Sequence, residues 1–441
     1  MVVLQILLLL GAMQETDALP QHQQRFLSES YEKHARASPD ATFHLAVGLH
    51  VADFDALERQ LWHVSNPQAT GYGRHLSREQ ADYLARPRDG ALEAVQDWLR
   101  PFVDARNDVG TFSPASNILK VPMSIKSVEL LFGTEIHEYL NEEGQHGARI
   151  LRAAREISIP EHLHSVISFV NVNAHPLGLR SLASMSPSTA ASAQKAGVAS
   201  SSGGTLAQIR DLYHIPGDLV VTNASNTQCV PSFYKENWNP EDLAKFVNEY
   251  LPGNPVPTVV EKGTRANVPE SSSTEASLDI QYITGVARNA TTYMWTMNGS
   301  NPYSPQDEPF VEFAQGILEM ETPPLVVSIS YSDDEAQIFR LSPDYARIFD
   351  ALLIKMGLRG ITVLIASGDD GVAGLRPEFS KLPRNETCLL AGPQWPSSSP
   401  YITSVGATMQ LHQSDFDKDF FRTDEEVVCS GQTGGIVTGG G

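Results

Sequence analysis

Positive charge is scarce in this 441-residue chain: 32 Lys and Arg stand against 52 Asp and Glu, giving a formal net charge of −20 and a pI near 5.0. Such a surface repels phosphate backbones and argues against nucleic acid as a partner. It suits work in a mildly acidic compartment, where part of the charge is neutralised. Cysteine is nearly absent. Cys229, Cys388 and Cys429 make an odd number, so at least one lacks an intrachain partner; no two have metal-ligand spacing, and the pairing stays open. Long apolar runs are missing too. The nearest approach, VVLQILLLLGAM at 2–13, falls short of the roughly 20 residues that span a bilayer, so no membrane span is expected. It fits the apolar core of a secretory signal over residues 1–18, although the usual positive flank is lacking.

What is present is enough for a globular protein of two domains, with 41% hydrophobic residues to build cores. Four Asn-x-Ser/Thr sequons, at Asn223, Asn289, Asn298 and Asn385, agree with passage through a secretory route.

Two grammars divide the chain. Residues 20–40 are polar and read as flexible. FHLAVGLHV from Phe43 alternates as a strand should. Residues 52–65 read as a helix with Phe54, Leu57, Leu61 and Trp62 on one face. A second helix is capped by Ser77, has Gln80 at the capping-box position and stops before Pro87. Helices over 92–103 and 126–133 and a strand over 165–172 complete an α+β block, residues 40–178, whose histidines sit among polar residues and read as solvated. SLASMSPSTAASAQKAGVASSSGG follows at 181–204. That composition cannot bury a core, so 179–204 reads as a linker and a natural site for cleavage. Beyond it, helices over 309–320 and 342–357 alternate with continuous apolar strands over 325–331 and 361–366. That alternation predicts a parallel α/β sheet with right-handed crossovers over 205–441.

The chemistry points to residues 271–288, SSSTEASLDIQYITGVAR, which read as a helix capped within its Ser/Thr run. At about 100° per residue, Ser277, Gln281, Thr284 and Arg288 share a polar stripe expected to face water. Glu275 and Asp279 fall on the other side, one turn apart, beside Tyr282, Ile283 and Val286. An exposed pair of like charges at this spacing costs little. A buried one is costly unless the two share a proton or a partner. A third carboxylate, Asp369, stands in SGDDG directly after the strand ITVLIA, where the carboxyl ends of parallel strands gather functional groups.

EASLDIQYITGVAR at 275–288, VVSISYSDDE at 326–335, TVLIASGDDG at 362–371 and SSPYITSVGAT at 398–408 resemble the sedolisin family, the serine-carboxyl peptidases, and most closely its tripeptidyl-peptidase branch. The block containing LWHVSNPQATGYGRHLSREQADYLARP at 61–87 resembles that family's activation propeptide. The resemblance implies a subtilisin-like sheet preceded by a propeptide that inhibits its own peptidase domain. It implies peptide or protein substrates and delivery to the lysosome, vacuole or exterior. It makes Glu275 the general base, Asp279 the residue that orients it and Asp369 the oxyanion donor. A carboxylate base works in acid, where histidine is already protonated, and a carboxyl donates to an oxyanion only when protonated.

The sequence departs from the family in one respect. The family's nucleophile lies in S-G-T-S beyond the oxyanion aspartate, and no S-G-T-S occurs here. The expectation is a sheet incomplete at its C-terminus, with the serine and the family's calcium ligands beyond residue 441, and a chain inactive by itself. Tripeptide release and internal cleavage both stay open. The competing reading is a non-catalytic fragment that binds or inhibits related peptidases. A histidine-based subtilisin fits poorly, because only His214 and His412 are available and neither opens a glycine-flanked helix. A glycosidase fits worse, because carboxylates one helical turn apart are too close to flank a sugar bond.

Overall fold

The computed structural model describes residues 32–103, 108–140, 149–155, 157–172, 206–233, 236–297, 309–335, 338, 343–369, 371–373, 392–410, 426–429 and 438–439. The expected signal (1–18), the linker (179–204), Ser342, Asn298, Asn385, Cys388 and His412 lie outside them.

The N-terminal part is α+β. β1 (Glu32–Arg36) pairs with β5 (Ile136–Leu140), which pairs in turn with β6 (Arg149–Ala153), so part of the stretch read as flexible is a strand. β2 (Thr42–Leu49) lies between β4 (Ile118–Ser124) and β7 (Ile167–Val170), and β3 (Thr111–Ser113) extends the same antiparallel sheet beyond β4. Leu45, Val47 and Leu49 point into its core with Leu119, Val121, Val170 and Val95.

Among the described residues this part also has helices α1 (Phe54–Ser65), α2 (Arg78–Leu84), α3 (Ala91–Leu99) and α4 (Ile125–Phe132), of which α3 and α4 pack on the sheet core. The capping box forms as the spacing requires. Ser77 Oγ accepts from Gln80 N at 3.3 Å, and Gln80 Oε1 accepts from Ser77 N at 2.9 Å. Trp62 departs from expectation: it is 52% exposed, and Val64 takes the buried place beside Leu57 and Leu61. His137 is likewise buried rather than solvated, and its Nε2 meets Glu135 Oε2 at 2.9 Å.

The second part is the expected parallel sheet. It holds β8 (Gln228–Ser232), β9 (Val259–Gly263), β10 (Thr292–Thr296), β11 (Val326–Ile329), β13 (Thr362–Ala366) and β15 (Thr403–Val405), in the order β15-β13-β11-β8-β10-β9. Every neighbouring pair is parallel. Two short ladders stand apart, β12 (Asp333–Asp334) with β14 (Gln394–Trp395) and β16 (Thr408–Gln410) with β17 (Glu426–Val428). The helices are α5 (Leu206–Leu212), α6 (Pro240–Tyr250), α7 (Thr274–Val286), α8 (Phe310–Glu319) and α9 (Pro343–Leu358). α8 and α9 cover one face of the sheet, with Phe310 in ring contact with Phe233, Phe349 and Trp395 at 5.5, 5.5 and 5.1 Å. α5, α6 and α7 cover the other face through Leu206, Leu243, Val247, Ala276 and Ile280.

The two parts share buried surface. Ala46, Ala115 and Ile118 join the cluster around Phe310, while Leu57, Leu61 and Val64 pack on Ile354 and Leu358 of α9. Polar contacts cross the same seam: Leu76 N donates to Leu358 O at 2.7 Å, Arg78 Nη1 to Glu319 O at 2.8 Å and Ser116 Oγ to Gln315 Oε1 at 3.1 Å. No helix among the described residues is long and apolar enough to cross a membrane.

Phe310 has no exposure and ties three aromatic partners together. Phe310→Ala is expected to cost about 3–5 kcal/mol, read as a lower urea midpoint by tryptophan fluorescence.

Candidate active site

The carboxyl ends of the parallel strands gather the polar groups. β8 leads to Glu236, β11 to Ser330 and Tyr331, and β13 to Ser367, Gly368 and Asp369, while α7 begins at the same end of the sheet with Glu275 in its first turn. Gly368 has φ +96°, a left-handed backbone that L side chains rarely adopt, and this turn presents Asp369.

Glu275 and Asp279 project together from α7, both partly buried, as the i, i+4 spacing requires. Ser330 Oγ donates to Asp279 Oδ1 at 2.7 Å, while Asp279 Oδ2 is buried without a hydrogen-bond partner among the described residues. Desolvation is the main reason that Glu275 binds its proton more tightly than an ordinary carboxylate; the charges of Glu236 and Asp369 add to it and the Ser330 hydroxyl opposes it. Asp279 is pushed up in the same direction by desolvation and then by Glu275. The two titrate as one unit that keeps a proton well above the usual carboxylate range. Asp369 lies at the exposed mouth of the site, and partial desolvation raises its pKa as well. It is close enough for its charge to act on Glu275.

The helix holding the pair differs from expectation in two ways. Ser273 is the N-cap residue, but its hydroxyl does not cap α7. It donates to the Glu236 carboxylate and accepts from Asn237 N at 3.1 Å. The water-facing side also runs elsewhere: Leu278 is 47% exposed and Thr284 is buried at 1%. Thr284 tolerates burial because its hydroxyl donates to Ile280 O at 2.6 Å, and the neighbouring Gly285 leaves room for Leu206.

Sequence reasoning did not single out Glu236, Ser330, Tyr331 and Arg265. Glu236 accepts from Ser273 Oγ and, at 3.5 Å, from Ala276 N, which ties a third carboxylate to the first turn of α7. Arg265 Nη1 donates to Asn237 Oδ1 at 2.7 Å and Nη2 to Glu236 O, fixing the loop that carries Glu236. The Tyr331 hydroxyl is buried without a hydrogen-bond partner among the described residues, and burial together with the charges of Glu236, Asp279 and Glu275 pushes its pKa up. Ser330 was within reach of the sequence, since it directly follows an apolar strand at the sheet's carboxyl edge. The backbone hydrogen-bonding of Glu236 leaves no such trace in the sequence.

Asn223 and Asn289 are exposed. The side-chain nitrogen that would carry a glycan is held at Asn289 by Val221 O at 2.7 Å, whereas Asn223 uses only its oxygen, accepting from Ser225 N at 3.0 Å. Cys229 and Cys429 are both buried free thiols. Among the described residues no group of three or more His, Cys, Asp or Glu is arranged to hold a metal.

Parts of the chain are similar to known proteins. Residues 29–177 match the family model described as Pro-kumamolisin, activation domain. Tripeptidyl-peptidase 1 of Mus musculus is 28% identical over 421 residues, covering 92% of this chain and 68% of the relative. The same protein of Pan troglodytes is 29% identical over 417 residues, covering 92% and 67%. Among solved structures, a Pseudomonas sedolisin (serine-carboxyl proteinase) complexed with pseudo-iodotyrostatin is similar, with a TM-score of 0.32 and 21% identity over 43% of this chain and 50% of that one.

A carboxylate pair whose proton is held more tightly in the folded state than in the unfolded chain stabilises the fold in acid. That contribution is fully present below the unfolded carboxylate values and is lost as pH rises through the raised folded ones. The wild-type chain is expected to lose thermal stability between pH 5 and pH 8. Asp279→Asn is expected to flatten that decline, and an unchanged slope in the variant would count against a shared proton.

Proposed function

We propose that this chain is a member of the sedolisin family of serine-carboxyl peptidases, on its tripeptidyl-peptidase side, and the precursor form of an acid-acting peptidase whose base, orienter and oxyanion donor are Glu275, Asp279 and Asp369. The observation that carries this is the desolvated pair on α7 facing a third carboxylate at the end of β13. Desolvation makes the pair keep a proton well above the usual carboxylate range. With Asp279 holding it, Glu275 keeps the charge needed to accept a serine proton, and the Ser330 hydroxyl fixes Asp279 in place. Partial burial raises the pKa of Asp369 and so favours the neutral carboxyl that can donate to a developing oxyanion.

The N-terminal α+β unit, residues 40–178, is the activation segment in this reading, with 179–204 the stretch cut to release it. Substrates are peptides or proteins, and the setting is lysosomal, vacuolar or extracellular. Tripeptide release is favoured over internal cleavage, because the relatives matched across most of the chain are named tripeptidyl-peptidases.

The 441 residues contain no S-G-T-S serine. The second reading is a product that binds or inhibits related peptidases through its N-terminal unit, which packs on α8 and α9. Sequencing the transcript on both sides of these codons separates the two. In protein made from a frame that includes the serine, Glu275→Gln, Asp279→Asn and Asp369→Asn are each expected to lower peptide release near pH 4 by ~10²-fold or more. Asp350→Asn, at a carboxylate bonded to Ser399 Oγ at 2.7 Å, serves as the control and is expected to leave release intact. Full activity in the Glu275→Gln enzyme would refute the proposed base.

A further inference from the structure

α9 carries a lysine that its own unit does not satisfy. Lys355 is buried, its side chain only 2% exposed. Its ammonium donates to Pro114 O at 2.9 Å and Ala115 O at 2.7 Å and pairs with Asp82 Oδ1 at 2.5 Å. All three partners belong to the N-terminal unit, and among the described residues no oxygen of the sheet unit bonds the ammonium. Burial lowers its pKa while Asp82 opposes that shift.

One turn-end away, Gly357 sits in the last turn of the same helix. A Cβ there would lie 2.5 Å from Leu61 Cδ1, with no other neighbour closer than 3.9 Å. Glycine inside a helix costs up to about 1 kcal/mol relative to alanine, and the only gain visible here is the seat it gives Leu61. Leu61 is 7% exposed and packs there with Leu57, Val64 and Ala85 against Ile354 and Leu358.

The seam also contains a gap. A cavity of about 420 Å³ opens there, lined among others by His50, Phe54, Asn117, Asp350 and Tyr401. The Asn117 Oδ1 atom is buried with no hydrogen-bond partner among the described residues.

We propose that Lys355 and Gly357 form the recognition element by which α9 holds the N-terminal unit: the ammonium reads Asp82 and the 114–115 carbonyls, and the glycine seats Leu61. The element sets how long the unit stays in place after the chain is cut. An ammonium desolvated against three oxygens cannot leave gradually, because separating any one partner strands a buried charge. This rests on reading residues 40–178 as a unit released by cleavage, and the experiment keeps the two ideas apart.

A specific protease site is placed within residues 181–204 of the otherwise full chain, the protein is cut at pH 7, and dissociation of the halves is followed by gel filtration. Wild-type halves are expected to stay together; if they separate at once, the covering role itself fails. Lys355→Met and Asp82→Asn are each expected to speed separation, by ~100-fold for the former, and the double variant to be little faster than Lys355→Met alone. Lys355→Met halves that separate at the wild-type rate, or effects that simply add in the double variant, would overturn the proposal. Gly357→Leu guards against a folding defect, since leucine is the better helix former. It is expected to speed separation while keeping helix content, and Leu61→Ala is expected to restore retention by making room. Gly357→Leu halves held as firmly as wild type would also overturn it.

Discussion

The structure turns on the cost of holding carboxylates near one another away from water. Glu275 and Asp279 stand one helical turn apart, with Glu236 tied to the same helix end and Asp369 across the site. Each negative charge raises the cost of the next, and desolvation raises it further. The protein meets this cost with a retained proton and with few donors: Ser330 for Asp279, and Ser273 with the Ala276 amide for Glu236. A histidine-based site places the opposite demand on pH, because its base is lost when protonated. The choice of carboxylates thus ties the fold, its stability and the proposed chemistry to acid.

The sheet makes this arrangement possible. Parallel strands deliver their carboxyl ends to one edge, so residues far apart in sequence meet there without long loops. α7 adds its N-terminus at the same edge, and its first turn has free backbone N–H groups that the Glu236 carboxylate partly satisfies. On the far side, α8 and α9 bury the aromatic core and also meet the N-terminal unit. One pair of helices therefore supports the sheet and carries the docking surface.

Much of this was legible in the sequence where a local rule decides the outcome. The apolar runs at 325–331 and 361–366 become β11 and β13, because a strand buried on both faces needs continuous apolar residues. Ser77 and Gln80 form their capping box because both partners lie within one turn. The wheel brought Glu275 and Asp279 together by spacing alone. It misplaced Thr284, because a hydroxyl that bonds back to its own helix can be buried, and packing of α5 and α6 decides which side of α7 is covered. Trp62 was misjudged for a similar reason: a helix wheel ranks apolar residues but cannot say how wide the covered face is. Glu236 and Lys355 were invisible, since each acquires its meaning from partners that only the fold brings near.

The most direct test of the shared proton is a pH titration of the Glu275 and Asp279 side-chain carboxyls by carbon NMR with selectively labelled Glu and Asp, assigned with Glu275→Gln and Asp279→Asn. The account predicts two linked steps, with one carboxyl of the pair still protonated at pH 6 and the resonance of each residue moving when the other ionises. Two independent transitions near pH 4 would show that both carboxylates are charged and solvated at neutral pH, and would contradict the account at its centre.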